Sequence, residues 1–232
     1  MIGRRAFVVL AAAAAMAAAC SHLSSGTSPV AIQLVLHQPY ELEVGDTVQL
    51  NAYALDEAGD SVGAPIIWRA PDTTVTVDSL TGRATAAYPS STGRIQARTG
   101  SLVSDVVTFS TYARSDTIVI DSTADTTTMQ PTDSVSAALV ASLQSFALGG
   151  GSFNRRLSYT ISLPADSSVT LEGGHLAVTV STLADGTPAA PVHLHKTAAP
   201  APDSAVVVVS AARPSGTVVP GSGQRFVVHI LH

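Results

Sequence analysis

The stretch LEVGDTVQLNAYALDEAGDSVGAPIIWRA, residues 42–70, continued by TTVTVDSLTGRATAA at 73–87, decides how this chain folds. Between Asp46 and Leu55, Val48, Leu50, Ala52 and Ala54 fall on one side, while Thr47, Gln49, Asn51 and Tyr53 fall on the other. A period of two is the mark of a strand with one buried and one wet face. Gly45-Asp46 before it and Glu57-Ala58-Gly59-Asp60 after it supply turn chemistry. Ile66-Ile67-Trp68 reads as a short strand carrying the single Trp of the chain. Sandwich domains place a large aromatic on the third strand, between the sheets, so Trp68 is expected in the core.

This succession of turn, alternating strand, acidic turn, lone Trp, Val-x-Val and Thr-Gly turn resembles the bacterial immunoglobulin-like domains of group 2, found in intimin- and invasin-like surface proteins and in many exported lipoproteins. The resemblance implies a β-sandwich that serves as a spacer or adhesive module outside the cytoplasm rather than as an enzyme.

Working outward, strands are expected at about 30–36, 40–44, 46–55, 65–70, 74–77, 83–87, 93–99 and 102–112, which is sandwich density. The second half repeats the first in order. GDTVQLNAYAL (45–55) matches TDSVSAALVASL (132–143), and IIWRA (66–70) falls opposite LSYTI (157–161), making Tyr159 the counterpart of Trp68. TVTVDSLTGRATA (74–86) is aligned with SVTLEGGHLAVTV (168–180), and residues 205–230 read as a last hairpin with Val206, Val208 and Phe226 in the core. The Thr- and Asp-rich run Thr123–Thr132 reads as a loop or linker. The expected fold is therefore all-β, two immunoglobulin-like antiparallel β-sandwiches in tandem. Residues 1–19 are set aside as a signal peptide and 20–29 as a flexible tether. The first domain then spans 30–114 and the second 115–232.

The leader reading rests on Arg4 and Arg5 followed by an apolar stretch from Phe7 to Ala19. That stretch is shorter than the ~20 residues a bilayer span needs and has the length of a signal peptide. It ends Ala17-Ala18-Ala19-Cys20, which resembles the lipobox at which bacterial lipoproteins are cleaved and acylated, with Ala17 in place of the usual Leu. Cys20 is the only cysteine, so no internal disulfide can form, and it is expected to carry the lipid that anchors the protein to the envelope membrane. Two or more acyl chains hold firmly where one does not. Ser21, where an inner-membrane retention Asp would stand, directs the expectation to the outer membrane, at its periplasmic face or the cell surface.

Cleavage removes Arg4 and Arg5 and leaves ten basic against seventeen acidic side chains, a net charge of −7. An acidic surface without a basic stripe excludes nucleic acid as a partner. Eleven of the twelve basic residues are Arg, a bias for which the sequence offers no reason. No Gly-x-Ser-x-Gly elbow, His-Glu-x-x-His helix, P-loop or dinucleotide fingerprint is present, so no catalytic residue and no cofactor are assigned. His193 and His195 share one face of a strand, a spacing that can grip a metal, and His229 and His232 lie near the end of the chain. With no acidic residue between Asp185 and Asp203, these histidines read as solvated and no metal site is assigned. Asp56, Glu57 and Asp60 read as a turn rather than a calcium loop.

Long connections on a rigid sandwich are where contacts concentrate. Gly149–Ser152 and the proline-rich Thr187–Pro202 are the expected contact surfaces. The function expected is a lipid-anchored, non-catalytic binding, adhesion or spacer module with an envelope protein or glycan as ligand. An accessory subunit of an envelope complex, or a metal-binding or enzymatic second domain, is the alternative.

Overall fold

A computed structural model of the chain describes residues 28–35, 40–89, 91–120, 125–197 and 201–232. It is built from strands, and no helix among the described residues is long and apolar enough to cross a membrane. The first eleven strands are β1 (Ala31–Val35), β2 (Glu41–Glu43), β3 (Thr47–Gln49), β4 (Asn51–Leu55), β5 (Ser61–Val62), β6 (Ile67–Arg69), β7 (Val75–Val77), β8 (Arg83–Ala86), β9 (Ser91–Thr99), β10 (Leu102–Val103) and β11 (Val107–Tyr112). β1 pairs with β4, and β3, which runs on into β4 past Leu50, pairs with β8, itself joined to β7. The facing sheet runs β2-β11-β9-β6, with β10 folded back on β9. Between the sheets lie Leu42, Leu50, Trp68, Val75, Ala84, Ile95, Ala97 and Phe109. The alternation of 47–55 is realised as read: Leu50 and Ala54 are buried while Thr47, Gln49, Asn51 and Tyr53 are exposed.

Trp68 is 5% exposed and lies opposite Ala97 of β9. Its indole is closed off by the β7–β8 turn, where Gly82 has φ 73° and a Cβ would stand 2.6 Å from Nε1. Only a glycine lets that turn come so close.

The second sandwich comprises β12 (Thr117–Ile120), β13 (Thr126–Met129), β14 (Ala141–Ser145), β15 (Gly150–Gly151), β16 (Arg156–Leu163), β17 (Val169–Thr170), β18 (Ala177–Ser181), β19 (His195–Lys196), β20 (Ser204–Ser210) and β21 (Gln224–Ile230). One sheet runs β13-β21-β20-β16-β18. The other holds β12-β14-β15 and the β17-β19 pair, joined through Leu139 N–H to Val192 O and Ser136 N–H to Leu194 O. A separate buried cluster fills it, with Ile118, Leu143, Leu157, Leu194 and Val207 around Tyr159 and Phe226. The two aromatic rings stack with centroids 6.2 Å apart. Tyr159 on β16 pairs with β20 as Trp68 on β6 pairs with β9, each aromatic sitting beside the penultimate long strand of its sandwich.

Both sandwiches open in the same way: the leading segment pairs antiparallel in one sheet, then crosses to pair in parallel with the last strand of the other. β1 and β2 do this in the first sandwich, and β12 and β13 in the second. The run Thr123–Thr132 therefore contains a strand, β13, rather than only a linker; its Met129 is fully buried and supplies the apolar anchor. Residues 121–124 lie outside the described part.

Two further expectations are corrected. On β20 the core residues are Ala205, Val207 and Val209, while Val206 and Val208 are half-buried. Four consecutive valines carry no alternation from which a phase can be read. The pairing of Val207 with Phe226 sets it, and Phe226 is in the core as expected. Residues 177–181 do not correspond to 83–86. β8 pairs with β3, but β18 adds to the edge of β16 in the opposite sheet, and the place beside the second strand is taken by 192–196.

Because the two clusters are separate, Trp68→Ala should cost the first sandwich ~3–5 kcal/mol and leave the second intact. Amide exchange followed residue by residue should show protection lost across β3–β11 and kept across β14–β21. Uniform loss in both, or no loss, contradicts the separation.

Candidate functional site: the buried charge cluster between the sandwiches

Residues 113–116 link β11 to β12, and the acidic β2 runs beside them. On β2, Leu42 points into the first core, so Glu43 must point out of it; yet Glu43 is 0% exposed. The second sandwich covers it. Its Oε2 accepts the Ser115 backbone N–H at 2.9 Å, and its Oε1 accepts the Ser115 hydroxyl at 2.7 Å. Arg155 Nε lies 3.2 Å from Oε1 and Arg213 Nε 3.4 Å from Oε2. Four groups, from the linker and from two separate loops of the second sandwich, thus converge on one carboxylate of the first.

Each arginine is itself held. Arg155 follows Asn154, which takes a left-handed φ of 54° and turns the chain into β16. Its N–H donates to Thr182 Oγ1, its Nη1 reaches Glu41 Oε2 at 3.3 Å, and its guanidinium lies 4.5 Å over the Tyr112 ring. Arg213 sits in the β20–β21 hairpin and donates twice to Ser115 O, at 3.0 and 2.8 Å. Around this core, Asn154 Nδ2 donates to the Tyr112 hydroxyl, Ser152 to Arg114 O, and the Phe146 N–H to Asp116 Oδ2. A buried charge left without its partner is worth ~3–5 kcal/mol against the folded state. While the junction stays closed to water, loss of either arginine would leave Glu43 uncompensated.

The loops expected to carry contacts prove largely structural. Gly150 and Gly151 pair with β14, and a Cβ on Gly151 would fall 1.9 Å from the Asp185 carbonyl carbon. Ser152 is fully buried. In Thr187–Pro202, Val192 and Leu194 are core residues on a segment hydrogen-bonded to 134–139; residues 198–200 lie outside the described part. Exposed apolar side chains flank this region instead, at Phe146, Leu148 and Phe153.

His193 and His195 are half-buried rather than fully exposed. Both face Glu172, from the turn after β17: His193 Nδ1 is 2.8 Å from Oε1 and His195 Nε2 is 3.3 Å from Oε2. The His193 backbone N–H also donates to Oε1 at 3.0 Å. This carboxylate lies 21 residues before His193 in the chain, upstream of Asp185. Partial burial raises the Glu172 pKa, but the hydrogen bonds from His193 and the nearby His195 ring outweigh it and hold the carboxyl below its usual 4.5. His232 pairs instead with Asp203. Among the described residues, no group of three or more His, Cys, Asp or Glu side chains is arranged to hold a metal ion. Asp56 caps its own turn by accepting the Ala58 and Asp60 N–H groups. Cys20 lies outside the described residues.

No protein-family model and no curated protein matches the sequence. Among solved structures, the chain is similar to the adhesin InvE of Yersinia pseudotuberculosis, at 13% identity and a TM-score of 0.44 over 89% of this chain; it spans 60% of the adhesin structure. It is also similar to domains 4 and 5 of the S-layer protein SbsC, at 14% identity and TM-score 0.34, covering 88% of this chain and 100% of that one. The D00-D0 domain of intimin follows at 15% identity and TM-score 0.31, covering 87% and 100%.

The lowered Glu172 pKa fixes a sign. A carboxyl depressed in the folded state stabilises above its unfolded pKa, and that gain disappears as the pH falls through the folded value. Glu172→Gln should therefore lower the melting temperature at pH 7, with the gap to wild type closing as the pH drops below 4.5. A gap that does not change with pH contradicts the assignment.

Proposed function

We propose that the protein is a lipid-anchored, non-catalytic module of the bacterial cell envelope, a stiff two-sandwich spacer that carries a binding surface away from an outer-membrane anchor. The observation that carries this reading is the Glu43–Arg155–Arg213 cluster, because a fully buried carboxylate shared by two domains favours one fixed orientation. A chain whose only task was tethering would do as well with a flexible joint. The Ala17-Ala18-Ala19-Cys20 sequence supports the anchor, and the polar residues from Ser21 to Pro29 would serve as its tether. Stiffness and anchorage together suit a protein that positions a surface, and an envelope protein or glycan is the ligand class this implies.

Anchorage is tested by phase separation in a cloud-point detergent. Wild-type protein expressed in a bacterial envelope should enter the detergent phase, with an intact mass raised by acyl chains at Cys20, while Cys20→Ala should stay in the aqueous phase. Equal partitioning of both forms contradicts the anchor.

A further inference from the structure

In the first sandwich β6 pairs with β9 and β7 with β8, and the two edges are joined where the Trp68 N–H donates to Ser79 O in the β7–β8 turn. A groove of about 840 Å³ lies there, within the range of small-ligand sites. Trp68 and Val75 are buried beneath it, and Arg69, Asp72, Tyr88 and Gln96 stand around it. Tyr88 is 60% exposed. An exposed aromatic ring beside a groove offers a face on which a ligand ring can stack.

The charges at the groove are unequal in their freedom. Asp72 is occupied by Arg94, which holds it with Nε at 2.9 Å, Nη2 at 2.8 Å and its backbone N–H at 3.0 Å. Those bonds hold the carboxyl below its usual range and stiffen the Pro71–Thr73 wall. Arg69 is exposed and, among the described residues, has no side-chain hydrogen bond or ion pair. Directly across from it on β9 lies Gln96, whose Nε2 donates to Ser104 O and leaves the amide oxygen to accept. An unpaired guanidinium fork is built for a carboxylate.

We propose that this groove binds an acidic sugar unit, with Arg69 taking the carboxylate, Tyr88 stacking on the ring and Gln96 accepting from a hydroxyl. A peptide added as an extra strand is the poorer occupant: β6 and β7 offer three residues each, and Pro71 removes a donor just beyond β6. The site deepens the binding part of the proposed function and is independent of the anchor, so either can fail while the other stands.

The test is calorimetric titration of the detergent-solubilised full chain with trigalacturonate, maltotriose and triglutamate. Trigalacturonate should bind at least about 10-fold more tightly than maltotriose, a ratio that one charged hydrogen-bonded contact supplies. Arg69→Ala and Tyr88→Ala should each weaken it by about 10-fold or more, with Arg69→Lys recovering part of the loss. Both side chains are exposed, and unchanged melting curves would show that the variants fold. Absence of trigalacturonate binding, equal affinity in Arg69→Ala, or triglutamate binding that ignores Tyr88→Ala would each overturn the proposal.

Discussion

Glu43 is a carboxylate with nowhere to go. Its strand position turns it away from one core, and the neighbouring sandwich removes it from water, so it must be matched by groups of fixed position. Ser115 gives two hydrogen bonds and Arg155 and Arg213 give charge, and each arginine is tied to further groups of its own. The linker Ala113–Asp116 lies inside the network, bonded on one side through the Ser115 N–H and hydroxyl and on the other through Ser115 O.

The same economy of strand ends runs through each sandwich. Splitting the first strand between sheets gives the closing strands β11 and β21 a parallel neighbour and so covers edges that would otherwise offer unpaired backbone. In the first sandwich this device also creates the junction, since β2 carries Glu41 and Glu43 beside the exit of β11. On the opposite side, β6 is joined to the β7–β8 turn by the Trp68 N–H to Ser79 O bond, with the groove beside it.

The first sandwich was legible because its strands alternate cleanly and are punctuated by Gly-Asp and Thr-Gly turns. The equivalence of Trp68 and Tyr159 was legible for the same reason, each sitting in a short apolar run. Other features were hidden. Four valines in a row at 206–209 have no phase until Phe226 supplies a partner. Met129 stood alone in a Thr-rich run and pointed to a strand that composition masked. The V-H-L-H alternation of 192–195 was a strand signal, obscured by the prolines around it. The junction was beyond reach, because Glu43 and Arg213 lie 170 residues apart and a charge on a strand normally reads as its wet face. The preference for arginine was its one trace: Arg155 and Arg213 each use a planar, multi-donor head that the ammonium of lysine cannot match.

Stiffness requires that the two sandwiches hold one orientation in solution. Nitroxide labels at the exposed Leu80 and Leu163, introduced as cysteines in the Cys20→Ala chain, report that directly by pulsed dipolar spectroscopy. One narrow distance distribution is predicted, broadening when Glu43→Gln removes the shared charge. A broad distribution in the otherwise native chain, or a narrow one that survives Glu43→Gln unchanged, would contradict it.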